Sequence, residues 1–266
     1  MKESILLNLP GDFPWQDRIH YFPTIDSTNT RAKEMAAAGA PHGTVLIADS
    51  QTGGRGRLGR QFHSPGGVGI YLSVILRPQC TPDAIMHLTC AAGVAICDAV
   101  EAAVGIRPGI KWTNDLVIGK RKLAGILTEL SVDAASGSVS YAVVGIGINC
   151  CQEKDDFAPD IRDTATSVHM QTGKPVDRSV LAACMIQALH RMDAHFISEK
   201  NAWMDAFRRD CITIGQAVSV HRFEDVRHGT ALSVDDEGAL VVQFPDGHRE
   251  AVNAGEVSIR GMYGYV

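Results

Sequence analysis

The run IKWTNDLVIGKRKLAGILTELSVDAASGSVSYAVVGIGI, residues 110–148, decides the fold. It divides into three apolar stretches of strand length, 110–118, 123–130 and 140–148. Gly119-Lys120 and Ala134-Ala135-Ser136-Gly137 lie between them. Glycine and small polar residues at such spacing reverse the chain, so adjacent stretches pair as antiparallel hairpins in a meander. Asn114-Asp115 interrupts the first stretch; both are poor strand formers, and a carboxylate among apolar residues needs a counter-charge or a cation. Gly145 and Gly147 are two apart and share one side of the pleat, where they open a flat slot for an apolar ligand or let a helix pack closely. The G-x-G here lacks the third glycine and following helix of a dinucleotide fingerprint.

Upstream, two further strand-like runs, 43–48 and 69–76, enclose Gln51-Thr52-Gly53-Gly54-Arg55-Gly56-Arg57-Leu58-Gly59-Arg60. These ten residues hold three arginines and four glycines in a chain of net charge −5. Glycine turns expose backbone N–H groups to an anion, and arginine adds fixed charge and forked donors. A solvated loop or an RNA-binding tail has similar composition. A single such loop between two core strands reads instead as a small-anion site.

The first twenty residues read as a short lead, followed by a strand at 21–25. Asp26-Ser27-Thr28-Asn29 supplies helix caps before a helix at 30–38 that stops at Gly39. A long buried helix is expected at 83–104, ended by Gly105 and Pro108. Residues 151–178 read as a long polar loop able to close over a ligand. Helices at 179–198 and 201–211 precede short strands at 217–221, 229–234, 240–244 and 250–254, placing a small β-barrel-like domain from about residue 215 onward. No internal repeat is found.

At 266 residues, 45% hydrophobic and 21% charged, the chain suits one sizeable core with a small appended domain. Its seven cysteines form no C-x-x-C pair and read as reduced core thiols, pointing to the cytoplasm. No signal sequence is recognised, and no apolar run is read as a membrane span. Outside the loop no basic tract suits duplex nucleic acid, so neither DNA nor membrane is an expected partner. The histidines lack metal-ligand spacing, and neither a nucleophile elbow nor a P-loop occurs. Lysines in hairpin turns, such as Lys122, are usually surface residues.

In order along the chain, Asp26-Ser27-Thr28-Asn29, Gly54-Arg55-Gly56-Arg57-Leu58-Gly59-Arg60, Lys111-Trp112-Thr113-Asn114-Asp115, Lys122-Leu123-Ala124-Gly125-Ile126-Leu127 and Gly145-Ile146-Gly147-Ile148-Asn149 resemble the signature set of biotin protein ligases. The resemblance implies an α+β fold: a mixed, mostly antiparallel sheet with packed helices, class II synthetase-like, over residues 1–212, then an SH3-like β-barrel over 213–266. It implies ATP-dependent formation of biotinyl-5′-AMP and transfer of biotin to a lysine of a biotin carboxyl carrier domain, with Mg²⁺ as cofactor. Members that repress transcription carry an N-terminal winged helix, and about twenty residues precede the first strand here, so a ligase without repressor activity is expected.

Carried over by position, Ser27, Thr28, Asn29 and Gln51 correspond to polar contacts around the biotin head. Arg55, Gly56 and Arg57 correspond to the loop that orders over the ligand and its phosphate, and Gly125, Gly147 and Asn149 to the pocket lining. Lys122 matches the active-site lysine, with Arg57 and Asp115 beside it in catalysis. Arg57, Arg60, Lys111, Asn114, Asp115, Lys122 and Asn149 correspond to the ATP end, with Asp115 on Mg²⁺. Thr113 stands where proline is common, and Leu58 where arginine is frequent. Lipoate ligases share this chemistry, but their glycine-rich motif with an aromatic-His-Asp element is not found. A silent biotin sensor would be expected to lose Lys122 or the arginines, and all are present. Edge strands could support a homodimer.

Overall fold

The computed structural model describes residues 1–222 and 225–253 and the backbone of 258–261. A seven-stranded sheet runs in the order β1-β2-β3-β7-β6-β5-β4. Its strands are β1 (Ile19–Ile25), β2 (Thr44–Gln51), β3 (Gly69–Leu76), β4 (Gly109–Lys111), β5 (Asp115–Ile118), β6 (Arg121–Val132) and β7 (Val139–Asn149). Only the β1–β2 pair is parallel; helix α2 (Thr28–Ala37) makes that crossover, and the meander expected at 110–148 forms the antiparallel half. The turn between β5 and β6 uses Gly119 and Lys120 at φ of 57° and 63°, the two positive values that match the twist of a tight hairpin.

The two faces of the sheet differ. Helix α3 (Leu88–Val104) packs against α5 (Arg178–His195), and Val144, Ile146 and Ile148 of β7 join them in the main core. On the opposite face, Ala32 and Ala36 of α2 cover Leu46, Ile75 and Val143. Burial on both faces explains why β3 and β7 read as near-continuous apolar runs.

Five expectations need correction. The stretch 110–118 is two strands, because the chain reverses at Trp112-Thr113-Asn114; Asn114 thus lies in the turn, while Asp115 opens β5 opposite Lys111 and Gly125. The helix expected at 83–104 begins with a separate 3₁₀ turn, Pro82–Ile85, before α3. Pro82–Val104 is also long and apolar enough by composition to cross a membrane, but 72% of that window is buried inside the protein, as befits a core helix. The lead contains α1 (Lys2–Leu7), which docks through Ile5 beside buried Leu9, Phe13 and Trp15. Residues 151–178 carry α4 (Val168–Thr172) and a parallel bridge from Ala165 to Lys122.

After α6 (Lys200–Asp210), a second antiparallel sheet follows in the order β11-β10-β9-β8-β12. It comprises β8 (Ala217–Arg222), β9 (Asp225–Val234), β10 (Leu240–Gln243), β11 (Arg249–Val252) and β12 (Ser258–Gly261), the last not anticipated from sequence. Ala254, placed in the expected last strand, lies outside the described residues. The turn between β9 and β10 reaches the first sheet: the buried Trp112 indole N–H donates to the Gly238 carbonyl at 2.9 Å, and the Trp112 amide donates to Thr213 Oγ1 at 2.9 Å. Among the cysteines, all free, burial pushes the Cys90 thiol up to about 12 and the others in the same direction.

Candidate active site

A cleft opens on the face covered by α2. Its floor is a cross-strand glycine patch: Gly125 of β6 pairs with Gly147 of β7, and Leu127 with Gly145. The glycines leave room for neighbours laid flat on the sheet. A Cβ on Gly147 would meet the Phe62 ring at 2.5 Å, and one on Gly145 would collide with the Asn29 carboxamide. The space that Gly145 and Gly147 leave is taken by Asn29 and Phe62, both of which line the cleft.

One end of the cleft is polar and neutral. Ser27 caps α2 by accepting from the Thr30 amide at 3.4 Å. Gln51 at the end of β2 accepts from the Thr28 amide at 2.8 Å and from its hydroxyl at 3.1 Å, while its own amide donates to Ser64 at 2.9 Å. The buried Ser73 hydroxyl lies 2.8 Å from Thr28 Oγ1 and 2.6 Å from Asn29 Oδ1. The Asn29 amide donates to the Leu127 carbonyl at 3.2 Å and to Glu129 at 3.1 Å. These groups are fixed by one another, so a ligand meets donors and acceptors already oriented.

The other end is charged. Lys122, the second residue of β6, lies 2.7 Å from Asp115 Oδ1 on the neighbouring strand, with its ammonium 6.0 Å over the Phe62 ring. Asn114 donates to the Ile126 carbonyl at 3.1 Å and to Asp115 at 3.3 Å, and accepts from Arg57 at 2.8 Å. A continuous line Arg57–Asn114–Asp115–Lys122 results. Burial lowers the Arg57 pKa from its ordinary value, and the charge of Asp115 opposes that shift. The glycine/arginine loop is ordered by Gly56 N–H to Arg60 at 2.7 Å and Phe62 N–H to Gly54 at 3.0 Å, and Leu58 at its tip takes a positive φ of 55°. Arg55 points to Glu129 at 3.2 Å.

The structure thus brings Ser27, Thr28, Asn29, Gln51, Arg55, Gly56, Arg57, Asn114, Lys122, Gly125 and Gly147 to one cleft, with Asp115 directly behind Lys122. Four expected residues are not among those lining it: Asp115, which reaches it through Lys122, and three others. Asn149 is buried, its amide donating to the Thr166 carbonyl at 3.0 Å; Arg60 is exposed; Lys111 is half-buried on edge strand β4. Sequence reasoning missed Phe62 as a cleft residue and Glu129 behind Asn29 and Arg55. The signal for Glu129 was a lone acid in an apolar strand.

The donor set does not build a metal cage: among the described residues no three potential ligands cluster, and Asp115 Oδ1 is engaged by Lys122. It fits a cation that arrives on phosphate oxygens, as magnesium does with nucleotides.

Comparison with known proteins agrees with this geometry. Residues 21–149 match the Biotin/lipoate A/B protein ligase family, and residues 213–260 match the Biotin protein ligase C terminal domain. The bifunctional ligase/repressor BirA of Bacillus spizizenii is 36% identical over 239 residues, covering 88% of this chain and 72% of that protein. The biotin--[acetyl-CoA-carboxylase] ligase of Paracoccus denitrificans is 33% identical over 244 residues, 89% of this chain and 98% of that one. The structure of the Aquifex aeolicus biotin protein ligase in complex with biotin and ATP superposes with a TM-score of 0.79 at 28% identity, covering 92% of this chain and 99% of that one. On the cleft, the sheet and these relatives together, the chain belongs to the biotin protein ligase family.

Proposed function

We infer that this chain is an ATP-dependent biotin protein ligase, which joins biotin to AMP and then passes the biotinyl group to a lysine of a biotin carboxyl carrier domain. The observation that carries this reading is the pairing of a preoriented neutral end, at Thr28, Asn29 and Gln51, with the cationic line ending at Lys122, across a glycine floor. A ureido head presents both donors and acceptors, which the neutral end answers. The apolar tail packs against Phe62, which covers Gly147, and brings the carboxylate to Lys122.

In the first half-reaction a biotin carboxylate oxygen attacks the α-phosphorus of ATP; the bond to the bridging oxygen breaks and pyrophosphate leaves with the electron pair. Two anions must meet, so positive charge fixed at the meeting point lowers the barrier. Lys122 and Arg57 supply it. Arg60 and Lys111 stand outside the lining and are assigned to the outer nucleotide approach. Asp115 is the carboxylate that would face a magnesium ion carried in on the phosphates, and such an ion would supply charge to offset that on the pyrophosphate.

In the second half-reaction the carrier lysine amine attacks the acyl carbon and AMP departs with the electrons of the C–O bond. Asp115 is the carboxylate we assign to take the amine proton. The Arg55–Arg60 loop excludes water from the mixed anhydride meanwhile. We further assign the boundary of the catalytic domain after residue 212 and an SH3-like barrel to the C-terminal strands, supported by the five short antiparallel strands and the C-terminal family match. Seven free cysteines support a cytoplasmic setting.

The test uses α-labelled ATP and magnesium with biotin or lipoate, separating the acyl-adenylate. Biotin-dependent adenylate is expected. Adenylate with lipoate alone would overturn the pocket assignment, and none with either would overturn the enzyme.

A further inference from the structure

Glu129 lies on β6 behind the neutral end of the cleft and is not among the cleft-lining residues. Its carboxylate nevertheless collects three donors from two other elements. Lys33 of α2 reaches Oε1 at 2.7 Å, Asn29 of α2 reaches Oε2 at 3.1 Å, and Arg55 of the glycine/arginine loop stands 3.2 Å from both oxygens. The Glu129 side chain is 20% exposed, against 42% for Arg55. A half-buried carboxylate holds such partners more firmly than a solvated surface pair would.

Two of the three partners, Asn29 and Arg55, line the cleft, whereas Lys33 does not. Asn29 accepts from Ser73 through its carboxamide oxygen and has its body against Gly145, so it cannot turn without losing several contacts. Arg55 has more freedom, being more exposed and carried on a loop. Glu129 thereby ties the loop to the rigid Asn29. Burial alone would raise its pKa, but the hydrogen bonds from Lys33 and Asn29 and the Arg55 charge outweigh burial and hold it below the usual carboxylate range, so the tie is anionic at neutral pH.

We propose that Glu129 is a positioning residue for biotin: it acts through Arg55, fixing the near half of the loop over the neutral end of the cleft. The proposal rests on the ligase reading above. It differs from a purely structural role because its effect must pass through Arg55 and must fall on biotin rather than on ATP or on the chemical step.

The test measures biotin-dependent pyrophosphate exchange and thermal stability in the full chain for Glu129→Gln, Arg55→Ala, the double variant and Lys33→Gln. Glu129→Gln should raise the biotin KM about tenfold with kcat within about threefold and the ATP KM unchanged. The double variant should be no worse in biotin KM than Arg55→Ala, since one interaction is lost in both. Lys33→Gln removes a partner that does not reach the cleft and should leave the biotin KM within about twofold. An unchanged KM in Glu129→Gln, additive effects in the double variant, or an equal rise in Lys33→Gln would each overturn the proposal. Should Glu129→Gln fail to fold, Glu129→Asp carries the same test. A wild-type chain that makes no biotinyl adenylate sinks the ligase reading itself; an active wild type with an indifferent Glu129→Gln sinks only this proposal.

Discussion

The Asn29 carboxamide lies against Gly145 in the space that a Cβ would need. Neither can move freely: Gly145 sits inside β7, hydrogen-bonded between β3 and β6, and Asn29 is held by Ser73, Leu127 and Glu129.

Gly145→Ala should therefore act on biotin through Asn29. Adding one methyl to a filled site costs about 1–3 kcal/mol in stability when neighbours must shift. We expect a lower melting temperature together with a biotin KM raised about tenfold or more and an ATP KM near wild type. Isothermal titration with each substrate separates the two; equal losses for both would count against a dedicated role for Asn29.

Lys122→Ala removes the cation at the end of the line and leaves Asp115 without its 2.7 Å partner. Adenylate formation should fall by roughly 10²–10³, the range for loss of one preorganised stabilising group at a reacting centre. Pyrophosphate exchange reads this directly, and turnover near wild type would remove Lys122 from the mechanism.

Arg57→Ala breaks the contact to Asn114 that draws the loop toward the charged end. Free biotinyl adenylate should then leave the protein faster. Release of labelled adenylate after rapid dilution measures this, and unchanged retention would refute the covering role of the loop.

Arg107 joins Asp98 at 2.8 Å, Glu101 at 2.7 Å and Asp210 at 2.6 Å, tying α3 to the end of α6. Burial would raise the Asp210 pKa, yet hydrogen bonds from Arg107 and Arg209 bring it below the ordinary value. A carboxylate with a lowered folded-state pKa stabilises the fold above its unfolded pKa, about 3.9, and the contribution fades as pH falls through the folded value. Asp210→Asn should thus be less stable than wild type by about 1–3 kcal/mol at pH 7. Urea titrations should show that gap closing below about pH 4; a gap independent of pH would assign the loss to packing.

The strands β3 and β7 were legible because burial on both faces writes an apolar run into the sequence, and the β5–β6 hairpin because Gly119-Lys120 is a turn pair by chemistry. The reversal at Trp112 was hidden: a buried tryptophan looks like strand interior, and the partner that buries it, Gly238, is 126 residues away. Residues 151–178 looked unstructured because much of their order comes from short, scattered contacts, the backbone pairing of Thr164 and Thr166 with Lys122 and the Ser167 cap of α4 among them, which leave no periodic pattern in the sequence. In the site, Ser27 to Asn29, Gln51 and Lys122 were legible as motif residues. Phe62 and Glu129 were not, since their importance lies in which cleft residues they touch.

The contact between Trp112 and Gly238 ties the C-terminal sheet to the hairpin that carries Asn114 and Asp115. Cutting the chain after residue 212 would strip two buried N–H groups of Trp112 of their acceptors, at about 1–3 kcal/mol each, beside Asn114 and Asp115. The two regions recognised as separate families should for that reason melt as one cooperative unit, with a single calorimetric transition, and the second sheet is better regarded as a buttress of the reaction centre than as an appendage.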